Sequence, residues 1–371
     1  MRGILKHKRI YIVGLTPLSL LLIILAKNSS FFAEKIYAKH IYKLLSQIIS
    51  TITGLFPFSI AELIIIALPA IILVIITRFI VSIIVSKGKR IEKLIKGLLN
   101  VFCAGSIIFF LFTILAGINY YRYPFGTYSG LEIHESSVEE LFALTDSLAL
   151  EANRLREQIS TTDENGVFRL SMSNYELAKV ADKAYELLSE DYPILSGFYG
   201  QPKPVIFSEL MSRTEITGIF IPFTMEANVN VDVPDFTIPS TMLHELAHLR
   251  GFMREDEANF LSYLAGMKSD NVEFQYSSTM HALSTAGNEL YNQDPDLFYI
   301  VRSQYSEEVL KDFRDSNQYW VKYEDTVIST VSNKINDTYL KVNDQSDGVK
   351  SYGRMLDLLL AKYRKDHNLD N

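Results

Sequence analysis

Cysteine is almost missing from this chain: 371 residues contain a single one, Cys103, and it lies inside an apolar run. A domain without cysteines cannot be stapled by disulfides, so whatever folds outside that run must stand on its own core. Basic charge is scarce over most of the chain. Residues 1–120 hold 14 Lys/Arg and 3 Asp/Glu, whereas the remainder holds 22 and 40. Beyond residue 120 no basic patch is found, which argues against nucleic acid as a partner. A cleavage site is also missing. Residues 1–9 form a basic leader, but no small-x-small pattern follows the first apolar run, which therefore reads as an uncleaved helix.

What is present begins with three long apolar runs, at about residues 10–26, 60–85 and 98–119. Each is long enough, or nearly so, to cross about 30 Å of hydrocarbon. Glu62 and Arg78 are the charges of the second run, and Pro17 and Pro69 are expected to kink their helices without excluding them from lipid. Arg2, Lys6, Lys8 and Arg9 precede the first run, and Lys87, Lys89, Arg90, Lys93 and Lys96 separate the second from the third. Basic loops stay in the cytoplasm. The expected organisation is therefore a membrane domain over residues 1–120 with a cytoplasmic N-terminus, and an extracytoplasmic domain over residues 121–371. Between the first two runs, Phe31, Phe32, Ile36, Tyr37, Ile41, Leu44, Leu45 and Ile48 have the spacing of an amphipathic helix lying on the membrane surface.

The chemistry concentrates in residues 237–264. His244-Glu245-Leu246-Ala247-His248 is the HExxH pattern of zinc-dependent hydrolases. Residues four apart share a helix face, so His244 and His248 can aim two imidazoles at one ion, and Glu245 can reach a water rather than the metal. Ser240 or Thr241 is the expected N-cap, and Gly251 the expected helix stop. A hydrolytic zinc site needs a third protein ligand and an open fourth position. The acidic run Arg254-Glu255-Asp256-Glu257-Ala258-Asn259 follows almost at once, and a carboxylate from it, folded back at Gly251, supplies that ligand.

The run from Glu255 to Asn259 resembles the ExxAD signature of the membrane metalloproteases that include prenyl-protein endopeptidases and bacterial heat-shock membrane proteases. The resemblance implies Glu255 as third zinc ligand and Asn259, standing where that family has Asp, as the partner of a ligand histidine. The gap between the two motifs is shorter here than in most of that family, so Glu257 stays an alternative third ligand.

Along the rest of the chain, residues 138–159 and 173–189 have helical periodicity, and residues 202–208 read as a short strand. Residues 218–233 read as one or two strands, of the kind that binds an extended substrate beside a metal. Within them Asn228 and Asn230 are candidate substrate contacts, though such residues more often make turns. Residues 307–331 and 351–363 read as helices, and the polar stretch 336–354 as a long loop. Tyr339, Tyr352, Arg354 and His281 are of types that can stabilise an oxyanion.

The three spans, the Asn-Tyr-Tyr-Arg-Tyr-Pro segment from Asn119, the HExxH and acidic core, and the tail around Tyr339–Lys341 and Tyr352–Leu359 together resemble one bacterial membrane family. It is catalogued as a domain of unknown function (number 3810), and the resemblance implies a membrane-anchored zinc peptidase. The fold class expected is mainly α: three N-terminal transmembrane helices and an extracytoplasmic, zincin-like α+β domain with a small sheet and a gluzincin-like ligand set. The function expected is hydrolysis of peptide bonds in protein substrates at the outer face of the membrane, with zinc on His244, His248 and Glu255 and Glu245 as general base. Two other readings stay open: a zinc hydrolase of cell-wall amides, and a non-catalytic surface or sensor protein with a structural metal. Besides substrate, the partner expected is membrane lipid.

Overall fold

The computed structural model describes residues 9–343, 345 and 354–369. It is mainly helical. Three helices are long and apolar enough to cross a membrane: α1 (Arg9–Asn28), α4 (Ile60–Val85) and α5 (Arg90–Leu115). The third starts earlier than the apolar run, because Arg90, Lys93 and Lys96 already belong to the helix, and it ends at Leu115 rather than 119. α1 and α5 run parallel, tied side chain to side chain: Arg9 Nη2 donates to Asn100 Oδ1 at 2.8 Å, and Thr16 Oγ1 to Ser106 Oγ at 2.8 Å. α4 is apolar on every side and leaves almost all of it exposed, the pattern of a helix solvated by lipid.

Between α1 and α4 lie α2 (Phe32–Tyr42, wound with π-type bonds) and α3 (Lys43–Gly54). The amphipathic surface helix expected there is present, but only half of the expectation holds. Ile36, Ile41, Leu44, Ile48 and Ile52 point outward, as a membrane-facing stripe requires. The opposite face is not solvated. Ala33, Glu34, Tyr37, Tyr42, Ser46 and Ser50 are buried against the rest of the protein. Small and hydrogen-bonding residues on that face let the backbone approach closely, which the apolar periodicity alone does not reveal.

The remaining helices are α6 (Val138–Glu157), α7 (Asn174–Asp191), α8 (Ile238–Leu249), α9 (Glu255–Lys268), α10 (Val272–Gln293), α11 (Pro295–Arg302), α12 (Glu307–Trp320), α13 (Val327–Val342) and α14 (Met355–Asp366). α6 and α7 start on Ser137 and Ser173, each closing a capping box with the Glu three residues on. The sheet has three strands, β1 (Lys203–Pro204), β2 (Gly218–Ile221) and β3 (Glu226–Val229), in the order β1-β3-β2. β1 pairs parallel with β3, and β2 antiparallel, with Gly218 opposite Val229 and Ile221 opposite Glu226. β2 is thus an edge.

Several expectations need correction. The strand over residues 202–208 shrinks to two residues, because Ser208 already begins a helical turn. The helix over residues 307–331 is two helices, broken by a turn in which Asp325 takes a positive φ of 55°. Residues 336–342 are the end of α13, not a loop. Their Asn, Asp and Thr content suits a helix with a wet face as well as it suits a turn.

No border at residue 120 divides the core. One cluster of buried side chains runs from Ala26, Ala33, Tyr37 and Tyr42 through Leu115 and Ile118 into α8, α9 and α10. Polar ties reinforce it. Arg122 makes a bidentate pair with Glu34, Nε to Oε2 at 2.7 Å and Nη2 to Oε1 at 3.1 Å, with both side chains buried. Lys203 reaches the Thr53 and Phe58 carbonyls and pairs with Glu226. Glu226 in turn accepts from the amides of Ile60 and Ala61 at the start of α4, at 3.0 and 2.7 Å, where a helix N-terminus favours a carboxylate. Glu62, the charge at the head of that span, accepts from the amides of Ile206 and Phe207.

Truncating one member of a buried ion pair strands the other charge, at a cost of roughly 3–5 kcal/mol. We expect Arg122→Ala to lower the melting temperature of the detergent-solubilised protein strongly. Adding Glu34→Ala should restore part of the loss. A double variant whose loss equals the sum of the two single losses would mean that the residues do not act as a pair.

Candidate metal centre

α8 begins at Ile238, with Pro239 in its first turn, where a missing amide proton leaves no bond unmade. The expected caps, Ser240 and Thr241, lie inside the helix, and both hydroxyls donate back to the Thr237 carbonyl. The other end stops at Gly251. Its φ of +88° is a conformation L side chains rarely adopt, and a Cβ there would sit 2.8 Å from the Tyr42 ring. Phe252 N–H bonds the Ala247 carbonyl at 3.1 Å and Gly251 N–H bonds the His248 carbonyl at 2.8 Å, the double bond pattern of a Schellman turn.

That turn does two things for the site. It brings the Phe252 carbonyl to 2.8 Å from His248 Nδ1, and it aims α9 back across α8 so that Glu255 meets the two histidines. His244 Nδ1 lies 2.7 Å from Asn259 Oδ1, one turn further along α9. With Nδ1–H donating in both rings, each Nε2 is left as a lone pair facing the cleft, the usual way a ligand histidine is oriented from behind. Glu255 Oε2 is 3.2 Å from His244 Nε2 and 3.6 Å from His248 Nε2. Ligands about 2.0–2.1 Å from a tetrahedral ion stand about 3.3 Å apart, so the three atoms fit one ion. Among the described residues this is the group of His, Cys, Asp and Glu side chains placed to hold a metal. All three remain slightly open to the cleft, at 14, 10 and 11% side-chain exposure, which leaves room for a further ligand.

Glu245 is buried beside them. Its Oε2 has no hydrogen-bond partner, and burial, partly offset by the neighbouring imidazoles, raises its pKa to about 7. β2 runs directly along it: a Cβ on Gly218 would fall 2.4 Å from Glu245 Oε1, so only glycine lets the strand come this close. The four side chains line a cleft of about 1140 Å³, walled by β2, by α10 and by α13.

The other expected residues divide. His281, on α10, lines the cleft with Nε2 buried and unpartnered; burial, with the His244 charge adding to it, lowers its pKa to about 4 and keeps the ring neutral. Tyr339 lines it as well, its hydroxyl 2.9 Å from that of Tyr120. Glu257 is not a ligand in this fold. It is turned away from the histidines, accepting from the Phe125 amide and from Arg254 Nη2, both at 2.6 Å. Arg354 sits 3.6 Å from Asp256 and does not line the cleft. Tyr352 lies outside the described residues. Asn228 and Asn230 are structural: their amides donate to backbone carbonyls of the sheet and its flanking loop, and Asn230 also to Ser212. Sequence reasoning missed Gly218, Tyr120 and Gln345, whose Oε1 accepts from the Glu255 amide at 3.3 Å. For Gln345 no local pattern existed to find.

Over residues 37–360 the chain matches the family described as "Protein of unknown function (DUF3810)", and it belongs to that family. No curated protein and no solved structure matches it.

Two outcomes test this arrangement. Burial draws the His248 pKa down, but the Glu255 carboxylate outweighs burial and lifts it to about 9. A proton on that ring competes with a metal ion, so metal affinity should fall about tenfold per unit as the pH drops below that value. Competition against a chromophoric chelator between about pH 6 and 9 measures this, and a flat profile would refute it. Glu255→Ala should lose the metal and Glu257→Ala should keep it, while Asn259→Ala should bind about 10–100-fold more weakly.

Proposed function

We propose that this protein is a membrane-anchored zinc metallopeptidase with a zincin-like core, cutting peptide bonds of protein substrates beside the outer face of the membrane. The observation that carries the reading is the buried Oε2 of Glu245, left without a hydrogen-bond partner beside a three-ligand site. Two imidazoles and one carboxylate are a ligand set that zinc hydrolases use, and a bound ion would supply Lewis acidity to a water and to the scissile carbonyl.

The chain's own residues do the rest. Glu245 takes a proton from the attacking water and returns it to the leaving nitrogen, so that water is added across the amide with no other reactant. A carboxyl whose pKa is near 7 suits both halves of that transfer. The free edge of β2 pairs with an extended substrate backbone and holds it alongside Glu245. Neutral His281 donates Nε2–H to the oxyanion. The basic segments flanking the spans favour a cytoplasmic N-terminus and a cleft outside the cell. Three protein ligands and a roomy cleft support catalysis over a purely structural metal, which would close its site with a fourth ligand.

The test is metal content and proteolysis together, on the protein reconstituted in nanodiscs with a mixed peptide library. Wild type is expected to carry about one zinc per chain and to cut peptides. Glu245→Gln should keep the zinc and lose about 10²–10⁴-fold in rate. Metal-free wild type with an intact fold, or undiminished cleavage by Glu245→Gln, would overturn the assignment.

A further inference from the structure

A second cavity adjoins the cleft. It has a volume of about 760 Å³ and lies at the ends of α1 and α5 that meet the soluble part, with Ile23, Phe109 and Phe112 on one wall and Ile335, Thr338 and Val342 of α13 on the other. Among the described residues, Lys334 is the one charged residue of its lining. Phe112, Ile335 and Tyr339 line this slot and the metal cleft alike, so the two spaces touch. α13 also belongs to both: Tyr339 bonds Tyr120, packs edge-on against Phe112 at 6.2 Å between centroids, and Asn333 donates to Glu215 beside β2.

We infer that the slot holds the hydrocarbon chain of an acylated, membrane-anchored polypeptide whose extended segment occupies the metal cleft. This substrate class rests on the peptidase reading above. Three features of the slot select it. Its wall includes residues of two membrane spans, so a chain leaving the bilayer reaches it without crossing water. Its lining is apolar, which a peptide backbone with unsatisfied amides would not tolerate. Its size is that of a small-ligand pocket. A transmembrane helix, about 10–12 Å across, would fill the volume with only about five or six residues. A chain seated there places the first residues of its polypeptide at Phe112 and Tyr339, the entrance to the cleft.

The experiment uses the full-length protein in nanodiscs and two probes bearing the same diazirine at the end of a palmitoyl chain: an acylated decapeptide and a phosphatidylcholine. Labelled sites are mapped by mass spectrometry in wild type and in Glu245→Gln, so the readout does not need cleavage. The acyl-peptide should label segments containing Phe109 and Thr338 saturably, competed by excess unlabelled acyl-peptide but not by the unacylated peptide. Thr338→Trp and Ile23→Trp, filling the slot from opposite walls, should each cut labelling at least about tenfold, with metal content unchanged as the check on folding. Equal labelling by the phosphatidylcholine that acyl-peptide does not displace would make this a site for resident bilayer lipid and overturn the proposal. Absence of labelling by either probe would overturn it too. Labelling without cleavage of any peptide would leave the slot standing and count against the peptidase reading alone.

Discussion

The reversal at Gly251 is the constraint on which the rest of the site depends. It brings a carboxylate to a helix carrying two histidines, because Glu255 reaches the imidazoles only if α9 folds back along α8. The same reversal sets the Phe252 carbonyl behind His248. Its underside is filled from the membrane part: the Tyr42 hydroxyl donates toward the His248 and Leu249 carbonyls, Arg122 Nη1 donates to the Arg250 carbonyl, and the Arg122 guanidinium lies 4.1 Å above the Phe252 ring. Arg122 is fixed in turn by Glu34 on α2. From His248 to α2 there is thus one buried contact, through Tyr42, and from the Arg250 carbonyl a second route through Arg122 and Glu34.

This explains which parts were legible from sequence. His244, Glu245 and His248 announce themselves because their geometry is set within a single helix turn, where spacing fixes direction. A carboxylate after the Gly251 turn was readable for a similar reason, the distance between motifs being one tight turn, and Asn259 only through the family resemblance. The spans were readable because lipid demands long apolar runs. What failed was anything set by partners far along the chain. Glu34 and Lys203 are both buried, and their partners lie 88 and 23 residues away, where no local pattern points. Glu257 and Glu255 could not be separated in advance, since two positions on a helix differ by a rotation whose sense only the packing of Phe125 and Arg254 decides.

The misreadings of α12 and α13 have a common cause. Periodicity over residues 307–331 continues smoothly across the break, so no apolar pattern marks it; the break is a single residue, Asp325, in a left-handed conformation. Beyond it the polar composition of residues 336–342 suggests a loop because such residues compete for backbone bonds. Here they ride on a helix that covers a cleft and is itself half in water, where polarity costs nothing. Composition reports exposure more faithfully than it reports conformation.

The same polar ties fix α4 to the rest of the protein. The head of α4, capped by its own Ser59, is bound to the sheet region by Glu62 and Glu226. From there α4 runs 26 residues, about 39 Å of helix, enough to cross a core of about 30 Å with some tilt. The outward stripe of α2 and α3, with Ile36, Ile41, Leu44 and Ile48, is exposed, and so are Ile206 and Phe207, whose amides Glu62 holds, and Leu210 in the helical turn that follows. A cleft tied through a buried ion pair and amide hydrogen bonds to the head of α4 stays beside the apolar helices.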